Sequence, residues 1–259
     1  MVCQTHSLVA GMSSSRTPKG SSAFMIASIT AGNEPTQPAS PRLVPVCARG
    51  VERLAATREE IARHGGTAHS AVCDLADEAA VPGYIEGAAP ALGGIDILVN
   101  NASGFGATDD EKGWAVSVSV DLMATMRAIR AALPFLEKSA SGTILNISSI
   151  SGLRATPRTP PYAALKAAMV NYTLTEAAAL ARKGIRVNCI EPGSVEFPGG
   201  TWEWARLNNP DLYGRILRSI PFGRLGEPAE VAQVALFLCS PLAGWVTGQN
   251  IAVDGGQVL

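Results

Sequence analysis

Residues 162–166 read YAALK, and the two ends of that pentapeptide can work on one proton. On a helix, positions i and i+4 share a face, so the phenol of Tyr162 and the ammonium of Lys166 point at the same place. A phenol alone, with a pKa of about 10, is a poor proton shuttle at neutral pH. A neighbouring ammonium favours the phenolate and makes the tyrosine a usable general acid or base. The same spacing also suits two amphipathic side chains on a solvated helix face. Ser149 lies 13 residues upstream at an expected strand end, and its hydroxyl can hydrogen-bond a carbonyl oxygen. That company favours the chemical reading.

A scaffold must bring these groups together, and the pattern from residue 47 onward supplies one. The apolar segment VPVCAR leads into VERLAATREEIARHGG, where Val51, Leu54 and Ile61 share a helical face and Gly65–Gly66 end it. A strand at AHSAVCDL, a helix around 77–92 and the buried strand IDILVNN follow. Next come a long helix near 112–138, the strand GTILNISS, a helix from about Pro161 to Arg182 and the strand IRVNCIEPG. A loop-rich insert, a helix near 228–239 and a last strand, QNIAVDGG, complete the alternation. Strands alternating with helices imply an α/β fold with a parallel sheet covered on both faces. In a doubly wound sheet, ligands sit at the carboxyl ends of the strands. CARG, CDL, NNAS, NISS and EPGS all fall there, in order.

Composition narrows the partners. The chain has 259 residues, 47% of them hydrophobic and 17% charged, which suits a globule with a large core. A net charge of −1 gives no electrostatic reason to expect nucleic acid or an anionic membrane. No apolar run reaches the roughly 18 residues of a membrane span, and the start lacks the pattern of a secretory signal. Five scattered cysteines read as buried reduced thiols, and three histidines make no metal-ligand spacing, so a cytoplasmic protein without a metal site is expected.

Together, CDL, DILVNNAS, GTILNISSISG, YAALKAA, GIRVNCIEPGSV, RLGEPAEVA and TGQNIAVDGG resemble the short-chain dehydrogenase/reductase family, closest to the 3-oxoacyl-carrier-protein reductase type. The resemblance covers roughly four-fifths of the chain, residues 47–259, as one domain. It implies a Rossmann-type fold, a nicotinamide cofactor, and hydride transfer between that cofactor and a carbonyl or alcohol, a 3-oxoacyl thioester or another ketone. It also implies roles. Tyr162 is the acid/base, Lys166 holds the nicotinamide ribose as well as assisting Tyr162, and Ser149 orients the substrate oxygen. Asp74 and Leu75 match residues that contact adenine, Asn100 and Ala102 the backbone beside the adenosine ribose, and Val195 the residue whose backbone meets the carboxamide. Arg49, with no acidic residue at that strand end, favours NADP(H) over NAD(H), because an arginine accommodates a ribose 2′-phosphate. The helix of RLGEPAEVAQVALFLCS with the strand after it, and the 112–138 and 161–182 helices, resemble the segments through which family members pair, so a homotetramer or homodimer is expected.

The chain also departs from the pattern. Counting seven residues from Trp114 reaches Asp121, where the family has a catalytic Asn that helps hold a relay water; an Asp there adds a negative charge. NNAS replaces NNAG, and Glu196 and Phe197 stand where a Thr is usual after PG. Trp202, Trp204 and Tyr213 in the insert suit an apolar or bulky substrate, or equally the packing of a lid. The largest departure is residues 1–46. The family's first strand, glycine-rich phosphate loop and helix belong there, yet TAGNEPTQPASPRLVPV carries four prolines and no close glycine triplet precedes it. That segment is expected to be a flexible arm or the product of a displaced reading frame, with the first βα unit of the sheet missing or distorted. A catalytically silent family member is the rival expectation.

Overall fold

The structure, a computed structural model, describes residues 23–27, 43–63 and 67–259. The stretch 30–42, with its prolines, and the Gly65–Gly66 helix end lie outside the described residues. The strands are β1 (Ala23–Ala27), β2 (Leu43–Ala48), β3 (Thr67–Val72), β4 (Ile97–Asn100), β5 (Thr143–Ile147), β6 (Arg186–Pro192) and β7 (Asn250–Val253). They form one seven-stranded sheet in the order β3-β2-β1-β4-β5-β6-β7. Around it lie α1 (Val51–Arg63), α2 (Ala80–Leu92), α3 (Glu111–Val116), α4 (Ala124–Leu136), α5 (Pro160–Leu180), α6 (Thr201–Asn208), α7 (Pro210–Arg218) and α8 (Pro228–Cys239).

Strand residues alternate between two cores, as the period of two requires. Leu98, Ile144 and Val187 pack with Ile85, Ala128 and Ile129 of α2 and α4. Val99, Leu145 and Ile190 pack on the other face with Leu54 and Ile61 of α1 and Val231 and Leu238 of α8. Val51, expected to share the buried face of α1, is 68% exposed. It occupies the first helical position, before the helix has closed on the sheet.

The first strand of the sheet is present, and it is reversed. β1 runs antiparallel to both neighbours, pairing Ala23 with Ala48 and Ala27 with Ile97, whereas all other pairs of neighbouring strands are parallel. Its ladder to β2 spans Ala48, Cys47 and Val46 and ends at Pro45, which has no N–H to donate. β2 itself begins at Leu43, so the strand crosses the boundary expected at residue 47.

Two elements are more finely divided than their sequence pattern suggests. The long helix expected near 112–138 is α3 and α4 joined by a π-helical turn, Ser117–Met123, a wider winding that often marks functional positions. The loop-rich insert holds α6 and α7. Asn209 accepts a hydrogen bond from the Leu212 amide at the start of α7, and Pro210 supplies a first-turn φ that suits a helix.

Candidate active site

Parallel register brings the polar strand ends to one edge. Asn100, Asn146 and Cys189 stand side by side on β4, β5 and β6, so the residues just beyond each strand share a rim. Asn100 Nδ2 donates to Asn146 Oδ1 at 2.8 Å, and Asn146 Nδ2 donates to Thr173 Oγ1 of α5 at 2.9 Å. This buried chain ties two strands to the helix that carries Tyr162 and Lys166. It also gives the Asn100 side chain a structural task beside the backbone role implied for it.

α5 is fixed by a stripe of buried residues, Pro161, Leu165, Met169, Thr173 and Ala177, spaced four apart. Burying Leu165 and Met169 stabilises its docking by roughly 1.5–3 kcal/mol each. Lys166 follows Leu165 and is drawn under the same face at 2% exposure, while Tyr162 is half-buried at the rim. The turn after β5 presses directly on the helix, since a Cβ on Gly152 would lie 2.7 Å from the Ala167 amide nitrogen. Ser149 is thereby held beside α5. Its Oγ accepts from the Ser151 amide at 3.1 Å, which leaves its own hydroxyl hydrogen to donate. Ser149, Tyr162, Lys166 and Val195 line one cleft of about 250 Å³.

Lys166 is held from three sides. Its Nζ donates to the Ile147 carbonyl at 3.0 Å, lies 3.4 Å from Asp121 Oδ1, and sits 5.6 Å from the centre of the Tyr162 ring. Asp121 has no exposed surface; its Oδ2 accepts from the Gly104 amide at 3.1 Å, while Oδ1 accepts no hydrogen bond among the described residues. The carboxylate in the family's Asn position is therefore a buried ion-pair partner of the lysine. Removing one member of such a pair typically costs about 3–5 kcal/mol, because the other charge stays buried.

Val195 presents a backbone edge to the cleft. In its bridge with Gly226, the Gly226 amide donates to the Ser194 carbonyl and the Glu196 amide donates to the Gly226 carbonyl. The amide and carbonyl of Val195 itself are turned away from Gly226, one donor beside one acceptor, which matches the acceptor and donor of a carboxamide. This end of the groove fits a nicotinamide. At the far end, Arg49 and Asp74 are exposed beyond β2 and β3, and Leu75 is 2% exposed. Asp74 Oδ1 accepts from the Ala76 amide, and Ala102 is buried beyond β4. Between the two ends, the reversal of β1 puts its amino end level with Ala48.

Sequence reasoning missed several cleft residues. Asn101 and Ser103 line it from the NNAS stretch, and Phe197 and Thr201 from beyond β6. Of the three insert aromatics, Trp202 lines the cleft, Trp204 is 53% exposed, and Tyr213 donates to Glu196 Oε2 at 2.6 Å. Arg206 Nε donates to the other oxygen of Glu196 at 2.7 Å, so this carboxylate joins the segment after β6 to both α6 and α7. Partial burial works to raise the Glu196 carboxyl, but the bonds from Tyr213 and Arg206 outweigh it and hold the group below its ordinary value.

A largely parallel α/β sheet with Ser, Tyr and Lys converging at its carboxyl edge defines a nucleotide-dependent oxidoreductase. A family model described as enoyl-(acyl carrier protein) reductase matches residues 44–257. The chain belongs to the short-chain dehydrogenase/reductase family, whose members bind a nicotinamide dinucleotide and act on alcohol or ketone substrates. It is 41% identical over 197 residues to the isoepoxydon dehydrogenase patN of Penicillium expansum, covering 75% of this chain and 74% of the relative. To the 3-oxoacyl-[acyl-carrier-protein] reductase FabG of Thermotoga maritima it is 36% identical over 195 residues, 73% and 76% of the two chains. Among solved structures, a 7α-hydroxysteroid dehydrogenase complexed with NADH and 7-oxo glycochenodeoxycholic acid superposes with a TM-score of 0.76. It is 32% identical, and the match covers 82% of this chain and 83% of that one. No helix among the described residues is long and apolar enough to cross a membrane.

Proposed function

We propose that the protein interconverts a small uncharged ketone and its alcohol with NADP(H), using Tyr162 as the acid/base. The observation that carries this reading is the convergence of Ser149, Tyr162 and Lys166 on one cleft beside the outward-turned backbone of Val195. A nicotinamide held by Lys166 and the Val195 backbone would, when bound, supply hydride to the carbonyl carbon or accept it from the alcohol. Ser149 donates to the substrate oxygen and orients it. Tyr162 supplies the proton to that oxygen in reduction and removes it in oxidation. Lys166 brings positive charge to the phenol, and Asp121 and the Ile147 carbonyl fix where that charge sits. Arg49 at the end of β2 supports NADP(H), since a guanidinium there meets a 2′-phosphate.

A 3-oxoacyl thioester and other ketones both present a suitable carbonyl. The compact cleft, with Phe197 and Trp202 in its lining, favours a small ketone. Buried cysteines outside any disulfide at Cys47, Cys73, Cys189 and Cys239 suit a cytoplasmic location, and exposed Leu242 and Trp245 just beyond α8 suit pairing into a homodimer or homotetramer. The test is NADPH consumption, followed by absorbance, with a panel of uncharged ketones, and NADH in parallel. Turnover faster with NADPH supports the proposal. Turnover with NADH alone overturns the cofactor assignment, and none with either supports a catalytically silent member of the family.

A further inference from the structure

Phe105 is the single non-glycine residue with a left-handed backbone among the described residues, at φ 47°. A bulky side chain in that region is strained and persists where the surroundings overdetermine it. Here they do. The Gly104 amide is pinned by Asp121 Oδ2, the Gly106 amide donates to Ser117 Oγ at 3.1 Å, and the Gly106 carbonyl accepts from the Tyr162 amide at 3.3 Å. A Cβ on Gly106 would run into the Gly113 carbonyl, so the loop lies flat against α3. The strained phenyl gains little from this in packing, because it is 44% exposed. Its ring instead stands 4.9 Å from the Tyr162 ring, tilted by 59°. Phe105 does not itself line the cleft; its exposed ring borders the cleft through Tyr162, which does. The charge on the cleft lining is that of Lys166, which Asp121 already pairs, and Phe197 and Trp202 add further aromatic surface.

We propose that Phe105 is a specificity-determining residue that selects uncharged carbonyl or alcohol substrates whose reacting carbon belongs to a ring, by packing against the face of that ring. This rests on the oxidoreductase reading of the same site. Ring faces and aromatic side chains pack well in offset or edge-to-face arrangements, and a flexible acyclic chain presents no comparable face. Asp121 acts here as a positioning residue, since its two oxygens hold the lysine and the loop that carries Phe105.

The experiment compares cyclohexanone with 2-hexanone, which has the same number of carbons, for the wild type, Phe105→Leu and Phe105→Gly. The wild type should prefer the cyclic ketone. Both variants should lose about tenfold of that preference, mainly through KM, a size typical of a reshaped apolar pocket. Phe105→Gly removes the strained conformation as well as the ring, so its Tm should hold or rise while selectivity falls. Saturation-transfer NMR should show cyclohexanol binding to the wild type and much weaker binding to Phe105→Gly. A wild type with no cyclic preference, or variants within twofold of its ratio, would overturn the proposal. A lowered Tm with equal loss on both ketones would make Phe105 a structural residue and overturn it too. Absence of turnover on every ketone, with ring-selective cyclohexanol binding intact, would sink the oxidoreductase reading and leave Phe105 as the recognition element.

Discussion

Lys166 and Arg49 are the cations expected at the two ends of the cofactor groove, and they live in opposite surroundings. Lys166 is 2% exposed and held against a carbonyl, a carboxylate and the face of an aromatic ring, all on elements joined through β4, β5 and α5. Arg49 is exposed one residue beyond β2, next to a strand that runs the wrong way for the fold. At the nicotinamide end, geometry is set by packing, because a buried ion pair and a ladder of buried amides tolerate few arrangements. At the adenine end the cationic side chain is exposed, so water and salt screen its contacts. The same sheet therefore carries a preorganised half and a permissive half.

The largest expected effect lies in the preorganised half. Tyr162→Phe keeps the ring contact with Phe105 and removes the transferable proton. Turnover should fall by two or more orders of magnitude, within the usual ~10²–10⁴ of acid–base catalysis, with Tm little changed. Steady-state rates on a reactive ketone check it, and near-full activity would remove Tyr162 from the mechanism. At the permissive end, Arg49→Ala should weaken NADPH on the order of tenfold in a calorimetric titration and leave NADH nearly unaffected, because a charge-assisted contact is lost for only one of them. Equal losses on both would mean that the two ends are less different than their surroundings suggest.

Asp121→Asn sharpens the comparison from inside the buried cluster. The amide can still accept from Gly104, but a negative charge beside Lys166 and Tyr162 is gone. Activity should be kept or raised, and the pH–rate profile should shift. An unmoved profile would show that Asp121 does not act on the proton path. The smallest effect belongs to a pair outside both halves. Arg224 and the Glu227 amide hold the Glu230 carboxyl at about 2 at the start of α8. A depressed carboxyl contributes stability above its ordinary value of about 4.5 and loses it as the pH falls towards 2. Glu230 is 39% exposed, so the ion pair is worth no more than about 1 kcal/mol. The Tm of Glu230→Gln should lie slightly below wild type from pH 7 to 5, and the gap should close by about pH 2. A gap that persists there would mean the capping geometry, not the charge, carries the effect.

Most of the scaffold was legible in the chain because period and punctuation are local. The strands from ILVN to NIAV and the helices between them follow from alternation, proline starts and glycine ends, and their order implies the parallel edge at which the polar clusters gather. The spacing of Tyr162 and Lys166 on one helix is likewise a local fact. Legibility failed where two distant segments decide together. Nothing in GFGATDD announces that Phe105 will be forced to a positive φ, because the cause is the approach of its glycine neighbours to α3 and the hold of Asp121 on Gly104. The π-helical turn was hidden for the same reason. Its sequence, SVSVDLM, reads as ordinary helix, and the wider winding shows only once the chain is folded.

The sequence by itself determined the residue types that can move a proton, their spacing, and the alternation that makes an α/β sheet, since each depends on bonds within a few residues. The tertiary structure alone decided that Asp121 pairs with Lys166, that the Asn100 side chain braces Asn146, and that β1 enters the sheet reversed. Those outcomes depend on which buried polar groups find partners and which strand edges remain open, and only the packed chain brings those candidates within reach of one another.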